Sequence, residues 1–370
     1  MTYCSSHHYF LGVANFSNEH LFSMKYSRKE IDNTGKLLLT STDQNEVKEA
    51  IEKLNDWRSL HLVPLDILQQ NITEFLSENK VKPFLISRRL KRLTSIQYKL
   101  DMNPDMGLGG MQDIGGLRVV VNNVDELLRL QSLLRNNPID SFNCRRMYDY
   151  VNEPKESGYR SIHFAYIYKS DNIVYNGLRI ELQIRTRLQH LWATAVETAG
   201  LYTNTSLKSS QGENGWLDFF KIVSALFSFK EKLPVSRELC GIRMEELMVQ
   251  CYKMNKSKQY SDILKALNVS VHETETEEET DNSIYYLIVI DFEDKTVGVT
   301  PFTKDKESIA SNEYAKLEEG LQDGKNAAVL VSVNKVKELR KAYPSYFLDT
   351  KEFTNNIDKI CHNCEVRNLL

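Results

Sequence analysis

The clearest pattern in the chain is a strict alternation of polar and apolar residues near its middle. Arg179, Glu181, Gln183 and Arg185 occupy one face of a predicted strand, and isoleucine and leucine occupy the other. The apolar face predicts burial against a core. The charged face is costly to bury unless something binds its charges. For this strand alone, a solvated sheet face with surface salt bridges is the alternative.

A second alternating segment lies a short distance earlier in the chain. Tyr159, Ser161 and His163 share one face of a predicted strand, and Gly158 permits the turn that leads into it. Because the two segments are close in sequence, they predict two polar strands that contribute to one site.

The remaining pattern alternates helices and strands without strict βαβ regularity. Helices are expected over residues 43–54, 65–79, 88–100, 124–136, 187–199, 216–233, 237–267, 308–322 and 334–342, and strands over residues 114–121, 161–168, 178–186, 284–291, 295–301 and 327–333. This order predicts an α/β (α+β) protein, with a mixed β-sheet flanked by helices.

The second half of the chain differs in composition from the first. Residues 272–282 are acidic and rich in threonine, which predicts a solvated linker. The expected order is an extension (1–36), a main domain (37–235), a helical segment (236–271), this linker and a small α/β module (283–370). The module has no catalytic pattern, so oligomerisation, docking of a regulatory partner or regulation is expected of it.

Composition narrows the class of protein. The 370 residues carry a formal net charge of −3, so any surface that attracts nucleic acid or an anionic membrane has to be local. Neither a transmembrane run nor a signal-peptide pattern is present, and the six cysteines are scattered, which predicts a cytoplasmic protein. Cys361 and Cys364 form a weak zinc candidate, and a frayed C-terminal segment is the preferred interpretation.

A basic stretch at residues 88–100 provides the first candidate chemistry. On a predicted helix, Arg88, Lys91, Arg92, Ser95 and Lys99 gather on one side. Guanidinium and ammonium groups that converge in this way suit a polyphosphate. A solvated basic helix is the alternative.

Asp113 provides the second piece of candidate chemistry. It lies at a loop-to-strand junction, two glycines follow it closely, and Arg118 projects from the same strand. Magnesium prefers one or two carboxylates together with phosphate oxygens and water, a pair that Asp113 and Glu181 can supply. Alternatively, Asp113 caps a turn.

Four blocks, taken in order, resemble the synthetase domain of the RelA/SpoT family, the alarmone synthetases. They are Arg89-x-Lys91-x-x-x-Ser95-Ile96-x-x-Lys99, Asp113-x-x-Gly116-x-Arg118, Asp149-Tyr150 … Pro154-Lys155 … Gly158-Tyr159-x-Ser161-x-His163, and Glu181-x-Gln183-Ile184-Arg185-Thr186. The resemblance spans residues 57–199, and Ser157 stands where the family usually has asparagine. No His-Asp hydrolase block precedes it, so a small stand-alone member with a nucleotidyltransferase-like synthetase domain is expected.

The resemblance implies transfer of the β,γ-diphosphate of ATP to a ribose 3′-hydroxyl. Arg89, Lys91, Ser95 and Lys99 are then expected to bind ATP, and Asp113 and Glu181 to bind Mg²⁺, with Arg118 as a further catalytic residue and Glu181 as general base. Lys155, Tyr159, His163, Gln183 and Arg185 are expected to bind the acceptor, with the Tyr159 ring stacked on its base.

The acceptor is left open by the sequence. GDP or GTP as acceptor gives the alarmones (p)ppGpp. A toxin-type member, paired with an antitoxin, instead modifies adenosine nucleotides or the 3′ end of tRNA. A tRNA acceptor requires a basic path, to which Arg145, Arg146, Arg185 and Arg187 can contribute. A binding module that senses nucleotides without turnover is the non-enzyme alternative.

Overall fold

The computed structural model describes residues 26–203, 214–270, 272–276, 283–291, 296–320, 326–332 and 349–370. The strands in this part of the chain are β1 (Leu85–Leu90), β2 (Gly115–Val121), β3 (Phe142–Asp149), β4 (Ile162–Tyr168), β5 (Arg179–Thr186), β6 (His272–Thr276), β7 (Ser283–Asp291), β8 (Thr296–Thr303) and β9 (Asn326–Ser332). The helices are α1 (Arg28–Thr40), α2 (Gln44–Leu60), α3 (Leu62–Glu78), α4 (Leu93–Asp101), α5 (Val124–Asn136), α6 (Arg187–Thr203), α7 (Asn214–Glu231), α8 (Met244–Lys258), α9 (Tyr260–Ser270), α10 (Glu307–Gly320) and α11 (Lys351–Val366).

These strands form one mixed sheet in the order β3-β4-β5-β2-β1-β9-β7-β8-β6. The pair β2–β5 is parallel, whereas β1–β2, β3–β4 and β4–β5 are antiparallel. The expected fold class, a mixed sheet flanked by helices, is confirmed.

Helices α3 and α5 cover one face of the strands β2, β4 and β5. Leu68 of α3 and Leu130 of α5 meet Ile180, Leu182 and Ile184 of β5 in one buried cluster. The apolar face of β5 therefore lies in the core, as its alternation predicts. Its charged face points the other way, toward α4 and α6.

A second core is built from helices alone. Trp192 of α6, Phe220 of α7 and Leu247 of α8 pack with Phe353 and Cys364 of α11. The frayed C-terminal segment expected around Cys361 is therefore wrong, since this segment is the helix α11 and buries Cys364. Among the described residues, no group of three or more histidine, cysteine or acidic side chains is placed to hold a metal.

The C-terminal strands continue the sheet of the main domain. Arg88 and Arg89 of β1 pair with Ser332 and Val331 of β9, and Leu85 shares a buried cluster with β7, β8 and β9. This continuity differs from the expected separation of the two parts. Residues 272–276 form β6 where a linker is expected, and the predicted helix at 334–342 lies outside the described residues. The domain boundaries themselves stay predictions.

One local expectation is wrong. The basic stretch is not one helix: residues 85–90 form the strand β1, and α4 begins only at Leu93, so Arg88 and Lys99 do not share a helix face. Pairing with β2 and β9 satisfies the backbone of β1 and outweighs its helical periodicity. The expected extension also includes most of α1, whose first turn is fixed by a capping box between Ser27 and Glu30.

Within the described part of the chain, none of the helices is apolar over a stretch that could cross a membrane.

Candidate active site

The register of the sheet collects the predicted polar residues in two rows. Gly116 of β2 lies between Arg89 of β1 and Glu181 of β5. In the next row on the same face, Arg118 lies beside Gln183. Gly116 has no side chain, and the nearest atom to a Cβ built there is 3.9 Å away, so it leaves a gap between the row's charges.

A cleft opens over these rows. It is lined by Ser87, Arg88, Arg89, Lys91, Asp113, Gly116, Leu117, Arg118, Glu181 and Gln183. The structure thus brings together residues from three of the four blocks that the sequence identifies. Ser95 lies on α4, half-buried, and does not line this cleft.

Asp113 is held by two cations. Lys91 donates to one carboxylate oxygen at 2.9 Å, and Lys99 donates to the other at 2.8 Å. Burial works to raise the pKa of Asp113, but the two ammonium groups outweigh it and hold that pKa well below its usual range. Asp113 is therefore ionised at neutral pH and does not act as a simple turn cap.

Glu181 is held from two sides. His163 Nδ1 lies 3.0 Å from one of its oxygens, and the Gln183 amide donates to the other at 2.6 Å. Burial raises the pKa of Glu181, which is only 8% exposed, but the opposing charge of His163 brings it below its usual value. Gln183, expected to bind the acceptor, therefore orients the carboxylate in this structure.

His163 connects Glu181 to Tyr159. Its Nε2 lies 2.9 Å from the Tyr159 hydroxyl, so both ring nitrogens have partners within the protein. Burial alone lowers the pKa of His163, whereas Tyr159 and Glu181 raise it, and the result is a pKa of about 9. The expected contact of His163 with acceptor phosphates stays a prediction.

Arg185 is the most deeply buried charge on this face, with 1% of its surface exposed. One of its terminal nitrogens donates to His190 Nδ1 at 2.5 Å, while Nε and Nη1 are buried without a hydrogen-bond partner among the described residues. Burial, reinforced by the charge of Arg118, lowers its pKa to about 9. Direct contact of Arg185 with the acceptor also stays a prediction.

The block expected to bind the acceptor is rich in tyrosines. Gly158 enters β4 with φ of 87°, the left-handed region that favours glycine, as its position predicts. The Tyr159 ring is only 8% exposed and packs against Trp192 and His163, whereas the sequence suggests a ring free to lie flat against a base. Ser157 is buried beside it, and its hydroxyl has no hydrogen-bond partner among the described residues.

Tyr150 is a candidate that the sequence did not assign. It is half-buried and stacks on Tyr148, with 5.9 Å between ring centroids and 7° between planes. The exposed Lys155 places its ammonium 4.7 Å from the Tyr150 ring centroid and 5.5 Å from that of Tyr159. Tyr150 belongs to a quoted block, but its position against Lys155 depends on the β3–β4 pairing.

A second pocket is rich in arginine. Arg28 of α1, Arg145 and Arg146 of β3 and Arg179 of β5 line it together with Gln112, the neighbour of Asp113. Burial and then the charges of Arg28 and Arg145 lower the pKa of Arg179, so the pocket concentrates positive charge. The alternation of β5 already indicated Arg179, whereas Arg28 fell in the expected extension and was missed.

The donor set of the cleft fits Mg²⁺. Glu181 is buried in it and Asp113 is half-buried, and the charge of Asp113 works to raise the pKa of Glu181, as expected of two neighbouring carboxylates. Magnesium that is bound with a nucleotide prefers one or two carboxylates together with phosphate oxygens. The two carboxylates can supply the first, and the neighbouring cations suit the phosphates that supply the second.

The site is thus a paired-carboxylate cleft flanked by cations on a mixed sheet. Residues 88–206 match the family model described as "Region found in RelA / SpoT proteins". This region is therefore present in the chain, and the recognition made from the four blocks is confirmed.

Two relatives show how far the similarity extends. GTP pyrophosphokinase YjbM of Bacillus subtilis is 33% identical over 112 residues, which are 30% of this chain and 52% of that protein. GTP pyrophosphokinase rsh of Brucella melitensis is 32% identical over 123 residues, 33% of this chain and 15% of that protein. The chain thus spans about half the length of the first relative and a small part of the second.

Solved structures give a weaker similarity. The small alarmone synthetase 1 from Bacillus subtilis bound to its product pppGpp has a TM-score of 0.43 at 21% identity, covering 49% of this chain and 94% of that one. The small alarmone synthetase 2 from Bacillus subtilis has a TM-score of 0.40 at 19% identity, with the same coverage of 49% and 94%.

Proposed function

We propose that the protein transfers the β,γ-diphosphate of ATP to the 3′-hydroxyl of a guanosine nucleotide, GDP or GTP, and so makes (p)ppGpp. One observation carries this proposal: within the RelA/SpoT region, two ionised carboxylates, Glu181 buried and Asp113 half-buried, share a cleft whose one side is lined by cations suited to a phosphate chain. The two relatives named above are GTP pyrophosphokinases, which supports the same reaction class.

The chemistry assigned to the cleft is a displacement at the β-phosphorus of ATP. The acceptor 3′-oxygen forms a bond to this phosphorus, and the bond to the oxygen that bridges the α- and β-phosphates breaks, so AMP leaves. The proton of the 3′-hydroxyl passes to Glu181, whose low pKa keeps it ionised and whose position is fixed by His163 and Gln183.

The donor phosphates are assigned to the side of the cleft formed by Arg89, Lys91 and Arg118, with Lys99 beside it on Asp113. Arg89 is 33% exposed and thus accessible to a nucleotide. Lys91 and Lys99 form ion pairs with Asp113 in this structure. When ATP is bound, their ammonium groups are assigned to neutralise the charge of its phosphates. Transfer of this kind depends mainly on positioning and electrostatics.

Asp113 and Glu181 are proposed to hold Mg²⁺. When bound, the ion neutralises phosphate charge during transfer. The protein's own contribution is to keep both carboxylates ionised through Lys91, Lys99 and His163.

The acceptor is assigned to the tyrosine side. A base stacked on Tyr150 or at the exposed edge of Tyr159 lies beside Lys155, and its 5′-phosphates are assigned to the arginine-rich pocket. A free 5′-di- or triphosphate has the charge that four arginines attract. The same arginines suit an RNA backbone, so a tRNA 3′ end is the second acceptor to test.

The experiment is an acceptor panel with purified protein, Mg²⁺ and ATP labelled in its γ-phosphate. GDP, GTP, ATP and tRNA are offered in parallel, and the labelled product is identified by chromatography. Label in a guanosine 3′-diphosphate supports the proposal, and label confined to tRNA or to an adenosine product contradicts the acceptor. No labelled product with any acceptor, while nucleotide still binds, favours a sensing module.

A further inference from the structure

A carboxylate from the C-terminal part of the chain holds the segment that follows Lys91, a residue of the cleft. Glu318 of α10 has a side chain that is 4% exposed. One of its oxygens accepts from Arg58 Nη1 at 2.6 Å, and the other accepts from the backbone amide of Leu93 at 2.9 Å and from the Tyr314 hydroxyl at 2.7 Å. Arg58 itself donates from Nε to the backbone carbonyl of Lys91 at 3.0 Å.

These bonds fix the short connection between β1 and α4. The Lys91 carbonyl and the Leu93 amide lie on either side of Arg92, and both are held by the Arg58–Glu318 pair. The connection carries Lys91 and leads into α4, which carries Lys99. Both lysines bind Asp113.

Glu318 also replaces a missing helix cap. Helix α4 begins at Leu93, and its N-cap residue Arg92 makes no side-chain capping bond. An acceptor at a helix start satisfies an amide that otherwise has no partner in the helix, and a negative charge there interacts favourably with the helix dipole. In this protein the acceptor comes from a residue 225 positions further along the chain.

Other contacts hold α10 and β9 against the same region. Ser59 of α2 and Ser311 of α10 have hydroxyl oxygens 2.8 Å apart, and Arg88 of β1 donates to Ser332 of β9 at 3.3 Å. The position of Glu318 is therefore set by packing and by strand pairing, as well as by its own bonds.

We infer that Glu318 is a positioning residue for the donor side of the cleft, and that α10 with its strands is a structural part of the site. This rests on the proposed function in one respect: it takes ATP as the ligand that Lys91 and Lys99 meet. Loss of Glu318 frees the start of α4 and leaves Arg58 buried without its carboxylate. ATP binding should then weaken, while the acceptor side keeps its geometry.

The test compares Glu318→Gln and Glu318→Ala with the wild type. Glu313→Gln, an exposed position on the same helix, is the matched control. Affinity for a non-hydrolysable ATP analogue is measured by calorimetry, together with the KM for ATP, the KM for the acceptor and the thermal midpoint. Glu318→Gln keeps the volume and one carbonyl acceptor, so it carries the test if the alanine variant does not fold.

The expected result is a loss of analogue affinity of about tenfold in Glu318→Ala and a smaller loss in Glu318→Gln. The KM for the acceptor should stay unchanged in both variants. The control Glu313→Gln should keep the analogue affinity of the wild type. Unchanged analogue affinity in a folded Glu318 variant overturns the inference. A parallel loss of affinity for both substrates together with the thermal midpoint overturns it as well, because that result indicates general destabilisation. Analogue binding by a wild-type protein that transfers nothing overturns the proposed reaction alone, whereas a wild type that binds no analogue overturns both.

Discussion

The two halves of the sheet are built on different principles. In β7, one face carries Tyr286 and Ile288 into one apolar cluster, and the other carries Tyr285 and Leu287 into a second. In β5, one face is equally apolar, but the other buries two charged residues, Glu181 and Arg185.

This difference shows where the chain uses burial for stability and where it uses it for chemistry. When a buried apolar side chain is replaced by a smaller one, the free energy of unfolding falls, and no charge is left without its partner. A buried charge depends on its partner, so a single change leaves the other charge uncompensated. We therefore expect substitutions on the charged face of β5 to change the reaction, and substitutions in the apolar strand β7 to change stability.

The largest effect is expected from the carboxylates. Glu181→Gln or Asp113→Asn should lower the rate of transfer about 100- to 1,000-fold, because each removes a charge directed at the reacting groups without much change in volume. Single-turnover rates with saturating ATP measure this. Glu246→Gln, an exposed carboxylate paired with Arg243, is the control. Wild-type turnover in either cleft variant excludes the two-carboxylate assignment.

The apolar half gives the opposite result. Ile288→Ala should reduce the free energy of unfolding by about 2–5 kcal/mol, and Ile288→Val by about 0.5–1.5 kcal/mol, because Ile288 is fully buried between strands. Denaturant unfolding measures the loss. In the folded fraction, the KM values for both substrates should stay near those of the wild type. A changed KM without a loss of stability contradicts the division between the two halves.

Replacing the tyrosines tests the acceptor side. Tyr150→Ala should raise the KM for the acceptor by about one to two decades, since base stacking contributes roughly 1–3 kcal/mol. ATP affinity should stay unchanged. Tyr159→Ala should raise the same KM and also lower the thermal midpoint, because its ring lies in the helical core.

Tyr159→Phe is the matched control, since it removes only the hydroxyl that meets His163. A KM for the acceptor that neither alanine variant changes removes both rings from the acceptor site.

The smallest effect is expected from pH. The folded protein holds the proton on His163 more tightly than the unfolded chain does, so this interaction stabilises fully below about pH 6.5 and is lost as the pH rises through about 9. Glu181 has a lowered pKa, so its contribution is present above its unfolded value and is lost only in acid.

The difference in unfolding free energy between wild type and His163→Gln should therefore be larger at pH 6 than at pH 9.5. Denaturant unfolding at both pH values measures it. A difference that grows with pH contradicts the His163–Glu181 pairing.

Local sequence patterns were sufficient to predict those elements whose bounds and faces depend on their own residues. Helix α5 has the predicted bounds, because Asn123 caps it and a regular apolar stripe follows. The alternation in β5 predicts both of its faces, and the four blocks identify Asp113 and Glu181 before any packing is known.

The rest depends on distant contacts. Strand β1 is short and basic, and only its pairing with β2 and β9 separates it from the helix that follows. Arg28 reaches the arginine-rich pocket only because α1 packs beside it. Glu318 meets Leu93 across most of the chain, and its sequence neighbourhood gives no signal of that contact.

The most direct test of the central claim is the identity of the nucleotide that ATP becomes. The purified protein is incubated with ATP, GDP and Mg²⁺, and the phosphorus NMR spectrum is followed through the reaction. Diphosphate transfer predicts AMP and a guanosine 3′-diphosphate in equal amounts, without ADP, and no AMP in Asp113→Asn. Accumulation of ADP, or of AMP with free pyrophosphate and no modified acceptor, contradicts the assignment of the charged half of the sheet to diphosphate transfer.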